Sequence, residues 1–145
     1  MNALTDTLTE MAEWDEIGLA AISERAAVAT LEFRDLDPEE FEISVLGCND
    51  ARIQQLNANF REKDSATNVL SWPSSERSAQ VAGTDPEPPE PGELGDIAIA
   101  YETCLREAAA EGIALDHHTT HLIVHAVLHL LGYDHEDDAL SLIHI

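Results

Sequence analysis

The chain is poor in cysteine: its 145 residues include only Cys48 and Cys104. Two cysteines are too few for a disulfide framework and lack the close spacing of a metal-binding pair, so we expect two reduced thiols in the core. Long apolar runs are also missing, since none approaches the roughly 20 residues that a membrane span requires. The N-terminal residues contain no basic segment of the kind that opens a secretory signal. These absences predict a cytoplasmic protein without a membrane partner.

Basic residues are scarce as well. Twenty-nine acidic residues against seven basic ones give a formal net charge of −22, which repels nucleic acid at long range. A strongly acidic proteome is one explanation, and a substrate other than nucleic acid is another. If the partner is RNA, the few cations must be concentrated where they act, and the candidates are Arg25, Arg34, Arg52, Arg61, Lys63, Arg77 and Arg106.

The length fits a single domain, residues 1–145, with a core large enough to be stable without disulfide bonds. Apolar alternation predicts an edge strand in residues 3–10 and further strands at 41–48, 67–72 and 93–100. Helical spacing predicts helices over 14–29, from Asn49 or Asp50 onward, over 101–111 with Gly112 as its end, and after a cap at Asp116. Strands interleaved with helices predict an α/β (α+β) sandwich, a small mixed sheet packed with helices around one central helix.

Residues 74–92 hold four of the six prolines, several acidic residues and no apolar periodicity. Neither flank alone makes a plausible domain, so we expect a mobile surface loop within one domain and not a linker between two.

The most informative stretch is HLIVHAVLHLLGYDH, residues 121–135. From Leu122 to Leu131 every residue is apolar except His125 and His129, which at a spacing of four share one helix face. Two imidazoles at this spacing reach one ion, and Gly132 allows the chain to turn so that His135 returns as a third ligand. The pattern predicts one Zn²⁺ per chain, with nickel or another late transition metal as the alternative, and an open position for water.

Two other interpretations of these histidines exist. They are core residues hydrogen-bonded to the backbone, or they are protease ligands, since zinc metalloproteases share the spacing. The proteases carry a glutamate as general base directly after the first histidine, where this chain has Ala126, so the protease hypothesis is second. Two interpretations fit His121, Asp96 and Asp134. Either they orient the ligating imidazole rings, or they only occupy surface and turn positions. The remaining histidines, His117, His118 and His144, are expected to face solvent.

The segment VHAVLHLLGYDH resembles the signature of the YbeY family, the bacterial metal-dependent endoribonucleases of ribosomal RNA maturation. LNANFREKDSATNVLSWP, residues 56–73, is similar to a second motif of that family, with Trp72 in place of the usual Phe. LGDIAIA, residues 94–100, is similar to a third. The motifs occur in the family's order and span about two-thirds of the chain.

The resemblance implies zinc ligands at His125, His129 and His135 and a functional arginine, Arg61, in the cleft. It implies a single-strand-specific endoribonuclease of small-subunit ribosomal RNA 3′ end maturation and ribosome quality control, with the small subunit as partner and no DNA. A non-catalytic, metal-stabilised ribosome assembly factor is a third hypothesis, although a closed structural zinc site has four protein ligands. Two positions depart from the family: Ala126 replaces its usual glycine, and ALSLIHI stands where a C-terminal helix normally continues, so we expect that helix to be truncated.

Overall fold

The computed structural model of the chain describes residues 4–61, 67–74 and 89–133. Most of the expected acidic loop at 74–92 lies outside these residues. So do the C-terminal tail and the predictions made for Asp134, His135 and His144.

Four strands form one mixed sheet in the described part of the chain. They are β1 (Thr5–Thr9), β2 (Phe41–Cys48), β3 (Val69–Pro73) and β4 (Gly92–Ala100). Their order in the sheet is β1-β2-β4-β3. The pairs β1/β2 and β2/β4 are parallel, whereas β3 runs antiparallel to β4. The N-terminal strand lies at one edge, as its weak alternation predicts, and β3 lies at the other.

Helices cover both faces of this sheet. They are α1 (Ala12–Glu16), α2 (Leu19–Phe33), α3 (Asp50–Arg61), α4 (Tyr101–Glu111) and α5 (Leu115–Leu130), with a short 3₁₀ turn at Pro38–Glu40.

The two faces of β4 point into separate apolar clusters. Ile97 and Ile99 lie in the first, and Ala98 and Ala100 lie in the second. The first cluster is closed by α2 and α5, and the second by Ile53 of α3. The predicted α+β sandwich around a central helix is confirmed, and α5 is that helix, since it packs on α2, α4, β3 and β4.

The helix expected over residues 14–29 is wrong in its continuity. Gly18 separates α1 from α2. Its φ of 78° is left-handed, a backbone conformation that residues other than glycine rarely adopt. The break lets Trp14 turn fully into the core, where its indole Nε1–H donates to the Cys48 carbonyl at 2.9 Å.

The two helix caps predicted from sequence have different outcomes. Asn49 caps α3, since its Oδ1 accepts a hydrogen bond from the Arg52 N–H at 2.8 Å. Asp116 does not cap α5, which already begins at Leu115 after Ala114; its carboxylate accepts from the N–H of His117 instead.

Both cysteines are free and buried, which confirms the expectation of reduced core thiols. Burial raises the pKa of Cys48 to about 12 and raises that of Cys104 as well, so neither thiol is a nucleophile near neutral pH. No helix in the described residues combines the length and the apolarity needed to cross a membrane.

Candidate metal centre

One stripe of α5 consists of histidines. From His121 to Gly132, the only positions that are not buried are His121, His125 and His129, one helical turn apart. The rings of His121 and His125 are stacked, with centroids 4.5 Å apart and planes at 20°. Every other side of this segment packs into the core, so the helix presents imidazoles, and little else, along its accessible side.

His129 is held in place by a neighbouring strand. Its Nδ1 is hydrogen-bonded to the Oγ of Ser71 on β3, a side chain that is only 7% exposed. When Nδ1 carries the ring proton, it donates to Ser71 Oγ, and Nε2 is then the nitrogen whose lone pair can bind a metal. Partners of this kind fix both the tautomer and the orientation of metal-ligating histidines. The sequence pattern of α5 gives no sign of this contact.

The end of α5 turns the chain back as expected. Gly132 has a φ of 105°, its N–H donates to the His129 carbonyl at 3.0 Å, and the Tyr133 N–H donates to the Leu128 carbonyl at 3.1 Å. These two bonds form a Schellman motif, which ends a helix at a left-handed residue. The guanidinium of Arg34 lies 5.0 Å from the centre of the Tyr133 ring, in a cation–π contact that ties this turn to α2.

His118 was expected in solvent, and this expectation is wrong. The side chain is buried, and its Nε2 lies 2.9 Å from Oε1 of Glu107 on α4. The same carboxylate accepts a hydrogen bond from Asn68 Nδ2 at 3.0 Å. His118 therefore ties α5 to α4 and to the residue that precedes β3. His117, by contrast, is exposed as predicted.

Asp96 lies on the opposite face of the sheet from the described histidines of α5. It is exposed on β4, and it lies on the same side of the sheet as Ala98, which faces α3 and not α5. His121 does lie beside a predicted ligand, through its stacking on His125.

Two of the four residues singled out for the site lie outside what the structure describes in full. Arg61 is the last residue of α3, and only its backbone is described; His135 lies beyond Tyr133. Within the described residues, no three His, Cys, Asp or Glu side chains form a group that could hold a metal. The structure thus describes one side of the predicted site, His125 and His129 together with Ser71.

The sequence is similar to proteins of named function. A family model described as endoribonuclease YbeY matches residues 6–142. A protein named endoribonuclease YbeY from Cereibacter sphaeroides is 53% identical over 147 residues, which cover 96% of this chain and 87% of the relative. Another of that name from Paracoccus denitrificans is 55% identical over 133 residues, covering 92% of this chain and 75% of the relative.

The chain belongs to the endoribonuclease YbeY family. The resemblance noted in its three motifs is thereby confirmed. The matched stretch includes all four residues singled out for the site, Arg61, His125, His129 and His135. A solution structure of a Thermotoga maritima protein superposes with a TM-score of 0.57 at 21% identity, covering 90% of this chain and 74% of that one, a likeness that concerns the fold alone.

The chemistry of the described donors fits a zinc ion. Imidazole nitrogens are ligands that zinc and other late transition metals accept, and they bind in the neutral form. His125 and His129 are partly exposed, lie on a helix that is otherwise buried, and include one ring already oriented through Nδ1. A rigid support with a hydrogen-bonded ligand is what a metal site of defined geometry requires.

Proposed function

We propose that this YbeY-family chain is a cytoplasmic, single-strand-specific, zinc-dependent endoribonuclease of ribosomal RNA. Its substrate is the precursor at the 3′ end of small-subunit ribosomal RNA, and its activity contributes to ribosome quality control. The observation that carries the proposal is the histidine stripe of α5 with Ser71 behind His129, in a chain whose named relatives are endoribonucleases.

His125, His129 and His135 would hold one zinc ion. Three protein ligands leave a coordination position open, unlike the four of a structural site. When bound, zinc supplies a Lewis acid for phosphodiester cleavage. The protein supplies rigidity: α5 is packed against α2, α4 and β3, so its histidines are fixed before substrate arrives.

Arg61 is proposed to bind a phosphate of the RNA through its planar guanidinium, which pairs with two phosphoryl oxygens at once. Two other cations of the chain are engaged by carboxylates: Arg52 lies 3.7 Å from Glu10, and Arg106 lies 3.1 Å from Asp50. With a net charge of −22 there is no long-range attraction for RNA, so affinity must come from local contacts of this kind.

The protease alternative gains no support from the position that would hold its base. Ala126 is 2% exposed and packs in the apolar core, so neither its chemistry nor its location provides a proton acceptor. A non-catalytic assembly factor remains as an outcome of the test.

The test compares cleavage of a single-stranded precursor RNA, the same sequence in a duplex, and a peptide by the zinc-loaded protein. We expect cleavage of the single strand only. His125→Ala should lose both zinc and cleavage, whereas His144→Ala, outside the motif, should lose neither. Arg61→Ala should keep its zinc while cleavage falls by about 100-fold, the order found when one donor to developing oxyanion charge is removed.

Arg25→Ala is the matched control for Arg61, because Arg25 is an exposed helical arginine on α2. Arg61→Lys keeps the positive charge but loses the planar guanidinium that can donate two hydrogen bonds to one phosphate, so it should recover little activity. A zinc-loaded parent that cuts no RNA would favour the assembly factor, and peptide cleavage would favour the protease.

A further inference from the structure

An open pocket of about 540 Å³ lies where α4 meets α5. One of its lining residues is His121, whose ring stacks on that of His125 at 4.5 Å. The pocket is therefore adjacent to the candidate metal centre, with His121 between the pocket and His125. Its lining residues are Glu111, Ile113, His117, His118, Thr120 and His121.

The lining suits a flat heteroaromatic ring. Ile113 is 42% exposed and offers an apolar surface, and His121 offers an imidazole ring. Unstacked bases of single-stranded RNA bind by stacking on such rings and by hydrogen bonds at their edges. The volume lies in the range of pockets that enclose small organic ligands.

The charges beside the pocket select a base over a phosphate. The Glu107 carboxylate is engaged by His118 and Asn68, whereas Glu111, with a side chain 62% exposed, has His118 Nδ1 at 3.9 Å. Two carboxylates repel a phosphate, but a carboxylate accepts hydrogen bonds from the exocyclic amino group of a base. Glu111 is thus the one carboxylate acceptor among the residues that line the pocket.

We propose that this pocket is a nucleobase subsite of the ribonuclease. It receives a base that carries an exocyclic amino group, at a fixed distance along the strand from the bond that is cut. Glu111 accepts the amino group, while Ile113 and His121 contact the ring. This inference rests on the proposed function, since it assigns a further contact with the same RNA.

The experiment uses the zinc-loaded full chain and single-stranded oligouridylates with one adenosine moved through successive positions. A parallel series carries purine riboside, which differs from adenosine only by lacking the 6-amino group. At one position relative to the cut, adenosine should raise kcat/KM over purine riboside by about tenfold, as expected for a hydrogen bond to a charged acceptor. In Glu111→Ala that ratio should fall close to one, whereas Glu32→Ala, an exposed acid on α2, should keep the parent ratio.

Ile113→Ala should lower cleavage of both series equally, because it removes ring contact and not the amino contact. Zinc content should be the same in all variants. If the parent cuts RNA without a position-dependent preference for adenosine, or if Glu111→Ala keeps that preference, the subsite is refuted while the proposed function stands. If the zinc-loaded parent cuts no RNA in either series, the proposed function fails, and the subsite fails with it.

Discussion

At the scale of single residues, the contact between Ser71 and His129 carries the most specific consequence. Ser71→Ala removes the hydrogen-bond partner of Nδ1, so the ring is free to rotate and to change tautomer. We expect zinc affinity to fall by about 10–100-fold, the usual effect of losing such a partner. Competition with a chromophoric chelator measures this directly, without reference to RNA cleavage.

Ser71→Thr is the matched control, because it keeps the hydroxyl at the same place on β3 and should retain most of the affinity. Unfolding of both variants, followed by circular dichroism, separates loss of the ligand geometry from loss of the fold. Equal zinc affinity in the parent and in Ser71→Ala would show that Ser71 does not orient the metal ligand.

The residues that could be predicted from sequence are those whose signal is local. His125 and His129 stand out because they interrupt an apolar helix at a spacing of four, and the structure places them on one stripe. Ser71 could not be connected with them, since 58 residues separate it from His129. His118 was misjudged for the same reason: its partner Glu107 lies on another helix, and no local pattern indicates that they meet.

At the scale of elements, the edge strand β1 is attached to α2 by one carboxylate. Glu24 accepts hydrogen bonds from the N–H of Leu4 at 3.1 Å, the N–H of Thr5 at 2.8 Å and the Thr5 hydroxyl at 2.7 Å. Burial alone would raise the pKa of Glu24, but these hydrogen bonds outweigh it and the pKa is lowered. We expect Glu24→Gln to destabilise the fold by about 1 kcal/mol at pH 7, since the group is only partly buried.

The pH dependence of this effect has a definite sign. Because the pKa of Glu24 is lowered on folding, its contribution is fully present above its ordinary pKa of 4.5 and is lost as the pH falls through the lower folded-state value. Urea unfolding of the parent and of Glu24→Gln should therefore converge in acid. Glu32→Gln, on the same helix but exposed, removes the same charge and should show no such convergence. A difference that persists unchanged in acid would contradict this account.

Gly95 lies on β4 where both β3 and α5 pack closely against it. It has a φ of 148°, and a Cβ there would collide with the Trp72 carbonyl oxygen and come within 2.8 Å of a Leu130 methyl group. Gly92, with a φ of 133°, has nothing within 4 Å of the same position. Gly95→Ala should therefore destabilise the fold by about 1–3 kcal/mol more than Gly92→Ala, because it adds overpacking to backbone strain. Equal denaturation midpoints for the two variants would refute the close approach.

The elements were predictable where an apolar period ran uninterrupted. The alternation of Phe41, Ile43 and Val45 fixes the inward face of β2, since a slip by one residue would turn all three buried side chains away from the core. Gly18 was not recognised as a break, because a single glycine inside a helical pattern is often tolerated and only its packing context decides. The pairing order β1-β2-β4-β3 depends on contacts between strands distant in sequence, which periodicity does not contain.

At the scale of the whole molecule, the candidate metal ligands and most of the acidic side chains lie in different parts of the structure. The candidate ligands are carried by the best-packed helix of the described structure, whereas the acidic side chains lie mostly at its surface. The net charge of −22 therefore acts on the fold as a general self-repulsion and on RNA as a long-range barrier. Both effects are electrostatic, and both are weakened by salt.

The stability of the chain should consequently rise with ionic strength. At low salt the screening length is roughly 30 Å, comparable with the molecule, and near 0.15 M it falls to about 8 Å. Screening weakens repulsion among 29 acidic residues more than it weakens attractions to seven basic ones. We expect an increase in Tm of about 2–5 °C between 0.01 and 0.15 M KCl at pH 7, measured by calorimetry.

The same titration close to the sequence pI of about 4.3 is the control, because the net charge is then near zero and KCl should have little effect on Tm. Both titrations use the metal-free protein, because acid near pH 4.3 would displace zinc from histidine ligands, and metal binding then contributes to neither. A Tm at pH 7 that falls with added KCl would mean that ion pairs such as Arg106–Asp50, at 3.1 Å, outweigh the general repulsion. The sign of the salt dependence thus decides whether the acidic surface opposes the fold or is compensated locally.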